Sequence, residues 1–466
     1  MIRPALALAL LLAACARPAP RPIAQAPAHR RHRVAWQAPP SGAGDLVRSL
    51  SDEVGPRLAG SPGDPRAVQW ALRTMRELGL SNVHAEPVRA PHWERGVEHG
   101  ALTAPFPRSL TLTALGGSVA TPPEGVEAEV VEVDSLDAIA ALPDERVRGR
   151  IVFVHRVMER RPTGRGYGDA VSARTRSAVA AARKGAVAVI VRSIGTDNTR
   201  APHTGALRYD DAVPRIPAAA LSVADADALH RIVAAHPDGV RFRLTLGCRT
   251  LPDADTANVV GEVPGGERPE EVVLIGAHLD AWDLGTGALD DGAGVAIVLS
   301  AARNVLRAGT PRRTLRVVLF ANEENGVAGA RAYAEAHRDE LSHHVVAMEA
   351  DAGDGRVRAI RYAGDESGRA VFHRVATELR PMGVRESPDR AWGGADVSPL
   401  APAGVPRVDL AQDMSRYFDV HHTANDTPAA LDEPSLDQAV AAWTVAVRAF
   451  AMLPECFGRA PPPDDE

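Results

Sequence analysis

The second half of the chain alternates short apolar runs with segments in which apolar residues recur every three or four positions. The runs predict buried strands, and the recurring pattern predicts amphipathic helices. The predicted strands are residues 271–277, 315–321 and 345–348, and the predicted helices are residues 292–306, 326–337 and 435–452. Alternation of strands with helices is typical of a mainly parallel sheet that helices cover on both faces. This half therefore predicts an α/β domain.

The first half carries two further patterns. A helical pattern spans residues 45–80 and includes Asp64-Pro65, a pair typical of a helix start; a strand is predicted at residues 82–88. After a Pro- and Gly-rich stretch, the predicted strands are residues 150–154, 186–191 and 216–221, with a helix at residues 172–184 that ends at Gly185. None of these strands ends in a catalytic cluster.

We interpret residues 118–250 as a separate small α/β unit. It would be inserted into a domain that consists of residues 43–117 and 251–455, and residues 456–466 would form a tail. The predicted role of the insert is that of a lid or specificity module, with a purely structural insert as the alternative.

Composition is that of a globular protein and excludes one class of partner. The 466 residues exceed what one compact core normally organises, so two or more domains are expected. Hydrophobic residues make up 45% of the chain and charged residues 24%, which are ordinary values. The formal net charge is -6. Because nucleic-acid binding needs a clustered basic face, no nucleic-acid partner is predicted.

The first residues have the pattern of an export signal. Arg3 precedes an apolar run at residues 5–12, which is too short for a membrane-spanning helix of about 20 apolar residues. The segment Leu12-Ala-Ala-Cys15 then resembles the lipobox of bacterial lipoproteins, whose cysteine becomes the lipidated first residue. We expect a lipoprotein-type signal at residues 1–15 and a disordered tether at residues 16–42. The protein is expected to be exported, as a periplasmic or cell-surface lipoprotein, or otherwise secreted through an ordinary signal.

The other two cysteines are Cys248 and Cys456. In an exported protein they could pair, but two cysteines far apart in sequence do not establish a disulfide. They also leave no thiolate cluster for a structural zinc site. A bound metal must therefore be held by nitrogen and oxygen ligands.

Side chains that commonly bind metals follow the predicted strands of the second half. They are His278, Asp280, Asp290, Asp291, Glu323, Glu324, Asp351, His421 and His422. In open α/β sheets, ligands bind beyond the carboxyl ends of the strands, which is where these residues fall. Carboxylates and imidazoles are costly to bury together unless cations hold them. The pattern predicts a hydrolase with two divalent metal ions.

The residue types suggest a division of roles. One carboxylate can bridge two cations about 3.5–4 Å apart, and we assign Asp290 to that role. Capping of the following helix could account for one aspartate of the pair Asp290-Asp291. Adjacent side chains diverge, and a carboxylate that binds metal cannot also accept a proton. We therefore assign Glu323 as the general base and Glu324 as a ligand.

The remaining donors complete two sites. His278 and Asp351 would hold one ion, while Glu324 and His422 would hold the other, with Asp290 shared. Glu349 competes with Asp351, and His421 competes with His422. The carboxylate of Asp280 is expected to accept a hydrogen bond from the His278 ring nitrogen that does not face the metal. Zinc is favoured, although oxygen-rich sites also accept manganese or cobalt.

The order His-x-Asp, Asp-Asp-Gly, Phe-x-x-Glu-Glu, Asp and His-Thr resembles the co-catalytic zinc aminopeptidase and carboxypeptidase family. Residues 276–292, 202–205 and 391–400 are similar to a branch of secreted dipeptidases in that family. The resemblance implies a zinc-exopeptidase fold with an inserted protease-associated domain. It further implies a cis peptide after Asp290.

The resemblance also implies which residues act in catalysis. It implies two zinc ions per chain, held by His278, Asp290, Glu324, Asp351 and His422, with Glu323 as base. It thereby favours Asp351 over Glu349, and His422 over His421. His203 and Asp396 lie in the similar segments and are candidate substrate-binding residues.

The predicted activity is hydrolysis of short peptides, in the first place dipeptides with free termini. An aminopeptidase of broader peptide range is the alternative. Glutaminyl cyclases share the catalytic fold but bind one zinc, and a receptor-like relative without activity would have lost ligands; the intact set argues against both. The expected partners are a short peptide substrate and a membrane reached only through a lipid anchor. The sequence leaves open whether the protein forms a homodimer.

Overall fold

The computed structural model describes residues 38–455 and 457–460. Its strands, in chain order, are β1 (Ser81–Glu94), β2 (Glu98–Ala104), β3 (Arg108–Ser109), β4 (Leu112–Ala114), β5 (Val126–Val133), β6 (Ile151–Val154), β7 (Ala188–Arg192), β8 (Ala218–Leu221), β9 (Arg241–Leu246), β10 (Arg249–Val263), β11 (Arg268–His278), β12 (Arg313–Phe320), β13 (His344–Glu349), β14 (Val357–Ala363), β15 (Arg385–Arg390) and β16 (Arg407–Gln412). Its α-helices are α1 (Ala43–Glu53), α2 (Asp64–Glu77), α3 (Leu136–Ala141), α4 (Asp144–Val147), α5 (Arg165–Ala170), α6 (Ser172–Thr175), α7 (Ser177–Ala182), α8 (Val223–Ala235), α9 (Ala293–Arg307), α10 (Ala328–Ala336), α11 (Glu366–Leu379) and α12 (Glu433–Met452). Cys15, Cys456 and the predicted signal lie outside the described residues.

The first sheet has eight strands in the order β1-β10-β12-β11-β13-β16-β14-β15. The four neighbouring strands β12, β11, β13 and β16 run parallel to one another, and β15 runs parallel to β14. The pairs β1–β10, β10–β12 and β14–β16 are antiparallel. The predicted parallel sheet is therefore confirmed at its centre, and antiparallel strands extend it on both sides.

The central strands are apolar on both faces, which is why they appear as continuous apolar runs in the sequence. In β11, Val273 and Ile275 pack into the core formed with α9 and α12. The alternate residues Val272 and Leu274 pack on the opposite face with Tyr333 of α10. The two-residue period of a strand thus supplies both hydrophobic layers. Helices cover both faces, as predicted.

The second sheet has the order β3-β2-β9-β5-β6-β7-β8-β4. Its central strands β5, β6, β7 and β8 are parallel, and the others are antiparallel. Strands β5 to β9 of this sheet belong to the predicted insert. The sheet also includes β2, β3 and β4, which precede residue 118, so the second sheet begins earlier in the chain than the predicted insert.

Several elements differ from the sequence prediction. The helix predicted at residues 172–184 is divided into α6 and α7, because Arg176 leaves the helical conformation with φ -124°. Gly185 follows with φ +83°, as expected of a residue that ends a helix. The patterns did not identify α8, α11, β14 or β16. Of the helices in the described part of the chain, none has the length and apolarity needed to cross a membrane.

Candidate metal centre

Three neighbouring parallel strands end where the predicted donors begin. Strand β11 ends at His278, β12 ends shortly before Glu323, and β13 ends shortly before Asp351. Strand β11 lies between the other two, and its His278 is opposite Phe320 of β12. Because the carboxyl ends of parallel strands share one edge of the sheet, the donors converge there.

Asp290 lies between two histidines that are far apart in sequence. Its Oδ1 is 3.2 Å from Nε2 of His278, and its Oδ2 is 3.2 Å from Nε2 of His422. All three side chains are buried. The two oxygens of one carboxylate thus face two different imidazoles, which is the arrangement expected of a bridging ligand.

The other two predicted ligands lie on opposite sides of Asp290. Oε2 of Glu324 is 3.0 Å from Nε2 of His422. Oδ1 of Asp351 is 3.7 Å from Nε2 of His278. Donor atoms from His278, Asp290 and Glu324 lie within 4.8 Å of one another, as do those from His278, Asp291 and Asp351. A third such group consists of Asp290, His421 and His422, so the structure brings the five predicted ligands together in adjoining groups that share His278 and Asp290.

Asp291 has a different role from Asp290. Its Oδ1 accepts a hydrogen bond from the Gly294 backbone at 3.0 Å, and its Oδ2 accepts one from the His278 backbone at 3.1 Å. Asp291 thus binds backbone donors at the start of α9. The peptide between Asp290 and Asp291 is cis, as predicted. A Cβ on Gly294 would lie 2.0 Å from the Ala350 carbonyl oxygen, so this approach requires glycine.

The two competing candidates have other contacts. Oε2 of Glu349 accepts hydrogen bonds from the backbones of Asp396 at 2.7 Å and Val397 at 3.1 Å. His421 stacks on His422 with ring centroids 3.6 Å apart, and its Nε2 is 3.5 Å from Asp290. Burial and the neighbouring His422 lower the pKa of His421 well below its usual range. Glu349 is thus held by backbone donors, whereas His421 lies in one group with Asp290 and His422, so the choice of His422 over His421 stays a prediction.

The side chain of Asp280 does not make the predicted contact with His278. Nδ1 of His278 donates to the Asp280 carbonyl oxygen at 3.0 Å, whereas the carboxylate oxygen Oδ1 is 3.8 Å away. That Oδ1 instead accepts a hydrogen bond from the Glu323 backbone at 2.9 Å. The prediction assigned the correct residue but the wrong atom, because the chain turns after β11 and brings the carbonyl nearer. Asp280 therefore positions the glutamate pair.

Glu323 is surrounded by negative charge. Burial, followed by the carboxylates of Asp351, Glu324 and Asp280, raises its pKa well above the usual range, while His278 opposes the rise. The residue before it, Asn322, has φ +60°, a conformation that asparagine adopts more readily than most residues. The turn at Asn322 directs Glu323 toward the predicted metal centre. Glu323 takes part in none of the donor pairs described above.

Sequence reasoning missed two residues that fix the loop around Asp290. Asp426 accepts hydrogen bonds from the backbones of Leu289 at 2.7 Å and Asp290 at 3.2 Å. Burial and the charge of Asp290 raise the pKa of Asp426 to about 7. Asp426 lies close in sequence to His422, which was the only available signal.

Arg57 is the second missed residue. Its guanidinium is fully buried and donates to three carbonyl oxygens distant in sequence, of Leu279 at 2.6 Å, Thr286 at 2.5 Å and Gly287 at 2.9 Å, and over a longer distance to that of Gly55 at 3.4 Å. No local pattern distinguishes this arginine, because its three short hydrogen bonds reach partners more than two hundred residues away. It holds the loop that leads from β11 to Asp290.

The second sheet contributes directly to the metal centre through Thr204. The Thr204 carbonyl oxygen accepts a hydrogen bond from Nδ1 of His422 at 3.3 Å, and the Thr204 N–H donates to the His422 carbonyl at 3.0 Å. The first contact leaves Nε2 of His422 directed toward Asp290 and Glu324. The loop after β7 thus orients a predicted ligand.

His203 has no free ring nitrogen for a substrate. Its Nδ1 is 2.7 Å from the His421 carbonyl oxygen, and its Nε2 is 2.9 Å from Oδ1 of Asp197. The side chain is 1% exposed. The prediction that His203 binds substrate is therefore not supported, because local sequence does not show that both nitrogens are occupied. His203 instead supports the loop that carries His421 and His422.

Asp396 lies behind Glu349, on the Glu323 side of the centre. It is fully buried, and within the described residues neither of its carboxylate oxygens has a hydrogen-bond partner. Burial and the charges of Glu349 and Glu323 raise its pKa well above the usual range. This cluster of buried carboxyl groups is compatible with the predicted role of Asp396 in substrate binding.

The donor set fits divalent cations. Among the described residues, Oδ2 of Asp290 and Oε1 of Glu324 are buried without a hydrogen-bond partner, which is costly for carboxylates. Burial alone would raise the pKa of Asp290, but the neighbouring imidazoles of His278 and His422 hold it well below the usual range. Imidazole and carboxylate ligands suit zinc, and two groups that share Asp290 suit a pair of ions.

Comparison with known protein families matches two parts of the chain to family models. Residues 258–447 match the model of Peptidase family M28, and residues 126–229 match the PA domain. These ranges lie within the predicted metal-binding domain and the predicted insert, respectively.

Individual relatives extend over most of the chain. Carboxypeptidase Q of Homo sapiens is 38% identical over 412 residues, which cover 88% of this chain and 85% of that protein. The crystal structure of a peptidase M28 precursor from Shewanella amazonensis SB2B is 44% identical, with a TM-score of 0.88, and covers 91% of this chain and 96% of that chain. The structure of BSAP, a zinc aminopeptidase from Bacillus subtilis, is 21% identical with a TM-score of 0.65, covers 88% of this chain and 94% of that chain, and has the same fold.

Proposed function

Because the chain belongs to peptidase family M28 and is a metallo-exopeptidase, we propose that it uses two zinc ions to hydrolyse short peptides, in the first place dipeptides with both termini free. The observation that carries this proposal is the position of Asp290, whose two oxygens face His278 and His422. Asp351 adds a donor on the His278 side, and Glu324 adds one on the His422 side.

Zinc ions at these positions would supply positive charge that polarises the scissile carbonyl and lowers the pKa of the attacking water. The residues of the chain then have separate tasks. Glu323 accepts a proton from the water and returns it to the leaving amine. Asp280 holds the Glu323 backbone, so the base keeps its position while the proton moves.

Charges of opposite sign beside the donors support recognition of both free termini. On the Glu323 side, Asp396 and Glu349 form a buried acidic group that suits an ammonium. On the His422 side, Nη1 of Arg174 lies 3.5 Å from Nδ1 of His422, and its Nη2 donates to the Tyr167 hydroxyl. A guanidinium suits a carboxylate. A peptide with both ends charged is thus complementary to the site.

Contacts with the second sheet support a restriction to short peptides. Arg95 forms a bidentate pair with Asp283 of the loop after β11, at 2.6 and 2.7 Å, and donates to the Ala114 carbonyl at 2.7 Å. A Cβ on Gly116 would lie 1.8 Å from the Trp282 ring, so the second sheet packs closely against the same loop. A cleft closed in this way leaves little room for further residues.

The test combines metal analysis with a panel of dipeptides. Each dipeptide is supplied free, N-acetylated and C-amidated, and a pentapeptide series is added. We expect two zinc ions per chain and much slower hydrolysis of every blocked or longer substrate. Equal hydrolysis of amidated and long peptides would favour the broader aminopeptidase. One zinc per chain at full activity would refute the paired centre and favour a glutaminyl cyclase.

Export and lipid attachment at Cys15 are part of the proposal. They rest on the lipobox-like segment Leu12-Ala-Ala-Cys15, which lies outside the described residues. A peptidase tethered in this way would act on short peptides outside the cytoplasm.

A further inference from the structure

A second group of metal-type side chains lies in the second sheet, apart from the centre described above. Glu132 is on β5, His155 directly follows β6, and His230 is on α8. One donor atom from each lies within 4.8 Å of the other two. The sequence analysis did not identify this group, because its members are on separate elements.

The donor atoms lie close to one another. Oε1 of Glu132 is 2.6 Å from Nδ1 of His230 and 3.9 Å from Nδ1 of His155. The two imidazoles are stacked, with ring centroids 4.4 Å apart and planes at 2°. Side-chain exposure is 17% for Glu132, 14% for His155 and 49% for His230. The group is therefore partly enclosed but open to solvent on the His230 side.

A further carboxylate fixes the tautomer of His155. Nε2 of His155 is 3.0 Å from Oδ1 of Asp227, and the same oxygen accepts a hydrogen bond from Nε of Arg192 at 2.8 Å. Because the Nε2 proton faces Asp227, the lone pair is on Nδ1, which lies 3.9 Å from Oε1 of Glu132. Carboxylates that orient histidines in this way are a regular feature of metal sites.

The backbone around His155 is also fixed. Its N–H donates to the Val133 carbonyl oxygen at 2.8 Å, which continues the pairing of β5 with β6. Two of the three donors therefore sit on a rigid sheet. His230, on the surface of α8, can turn its ring toward an ion without a change in the backbone.

We propose that Glu132, His155 and His230 bind a transition-metal ion of the zinc class, independently of the catalytic centre. Two imidazoles and one carboxylate are a ligand set that zinc accepts, and a water from the exposed side completes four-coordination. An ion at this position connects α8 to β5 and β6. It therefore stabilises the second sheet.

The experiment measures zinc uptake beyond the catalytic ions. The full-length protein is saturated with zinc, freed of loosely bound metal, and titrated with zinc in equilibrium dialysis. We expect the wild type to bind one additional zinc per chain and His230→Ala to bind none. His236→Ala is the matched control, because His236 is exposed at the end of the same helix and outside the group; it should bind as the wild type does.

A second variant tests the role of the orienting carboxylate. Asp227→Asn should weaken the additional zinc by about 10–100-fold while leaving the tightly held ions in place. His230→Ala should retain full peptidase activity, since His230 contacts Glu132 and His155 and not the residues of the metal centre. No additional zinc in the wild type, or equal uptake by His230→Ala, would overturn the proposal. Loss of the same ion in His236→Ala would also overturn it.

Discussion

Thr204 and His422 are joined by two hydrogen bonds, although 218 residues separate them. The Thr204 carbonyl accepts from the His422 ring, and the Thr204 N–H donates to the His422 backbone. The first bond decides which ring nitrogen of His422 faces Asp290. The second sheet therefore does more than enclose the predicted metal centre, because its Thr204 orients the ring of His422, one of the predicted ligands.

Gly205→Ala tests this dependence, since Thr204 contacts His422 through its backbone, which a side-chain substitution at Thr204 would not remove. Gly205 has φ +123°, and an added Cβ would lie 2.6 Å from Nδ1 of His422. We expect the variant to lose zinc affinity and activity by at least about 10-fold, measured by metal content and initial rates. Gly168→Ala is the control, because a Cβ there meets nothing within 4 Å. Normal zinc content in Gly205→Ala would contradict the prediction.

Glu323→Gln separates the base from the ligands. The change removes proton transfer but no proposed donor, so zinc content should stay at the wild-type value. The rate should fall by about 10²–10⁴-fold. Asp290→Asn, by contrast, should lose both zinc and activity. If Glu323→Gln loses zinc, the roles assigned to Glu323 and Glu324 must be exchanged.

Arg57→Met should cause a large loss of stability. Arg57 is fully buried, and its removal leaves three carbonyl oxygens and the nearby aspartates without their cation. We expect the free energy of unfolding to fall by about 3–5 kcal/mol, measured by chemical denaturation. Arg73→Met is the control: Arg73 pairs with Glu53 on the surface, with 49% of its side chain exposed, and should cost at most about 1 kcal/mol. Equal losses would contradict this account.

His344 should make the fold sensitive to mild acid. Burial lowers its pKa to about 4, and its Nε2 accepts a hydrogen bond from the Tyr333 hydroxyl at 2.9 Å. The unfolded chain protonates this histidine near pH 6.5, whereas the folded chain does not. Its stabilising contribution is therefore complete above about pH 6.5 and is lost as the pH falls toward 4, with a total of about 3 kcal/mol.

The measurement for His344 is the free energy of unfolding as a function of pH. His344→Gln keeps a hydrogen-bond acceptor but does not titrate, so its stability should fall less between pH 6.5 and 4 than that of the wild type. His343→Gln, at the exposed neighbouring position, should retain the wild-type slope. Parallel curves for His344→Gln and the wild type would disprove the assignment.

Cys15→Ser should prevent lipid attachment. If the lipobox-like segment is processed, the wild type incorporates a labelled fatty acid and sediments with membranes, while the variant does neither. Cys248→Ser is the control, because Cys248 is buried and remote from the signal in sequence. A wild type without label would reduce the segment to an ordinary export signal.

Local sequence was sufficient to predict which residues follow the central strands. Apolar runs that end in His278, Glu323-Glu324 and Asp351 mark buried parallel strands with polar ends, and that relation depends only on neighbouring residues. The order of the donors then gave the family and the zinc-exopeptidase fold. The cis peptide after Asp290 was predicted by the same resemblance.

Tertiary structure decided the contacts between residues distant in the chain. In the folded protein, Asp291 accepts a backbone hydrogen bond at the start of α9, and His278 donates to the carbonyl of Asp280. Both ring nitrogens of His203 also have hydrogen-bond partners. The tertiary structure also brought Arg57 to the loop before Asp290. Periodicity and motif spacing report which face of an element is buried, but a hydrogen bond depends on atomic positions set by the packing of whole sheets. For that reason the sequence alone was sufficient to predict the donors, and only the fold showed their orientation.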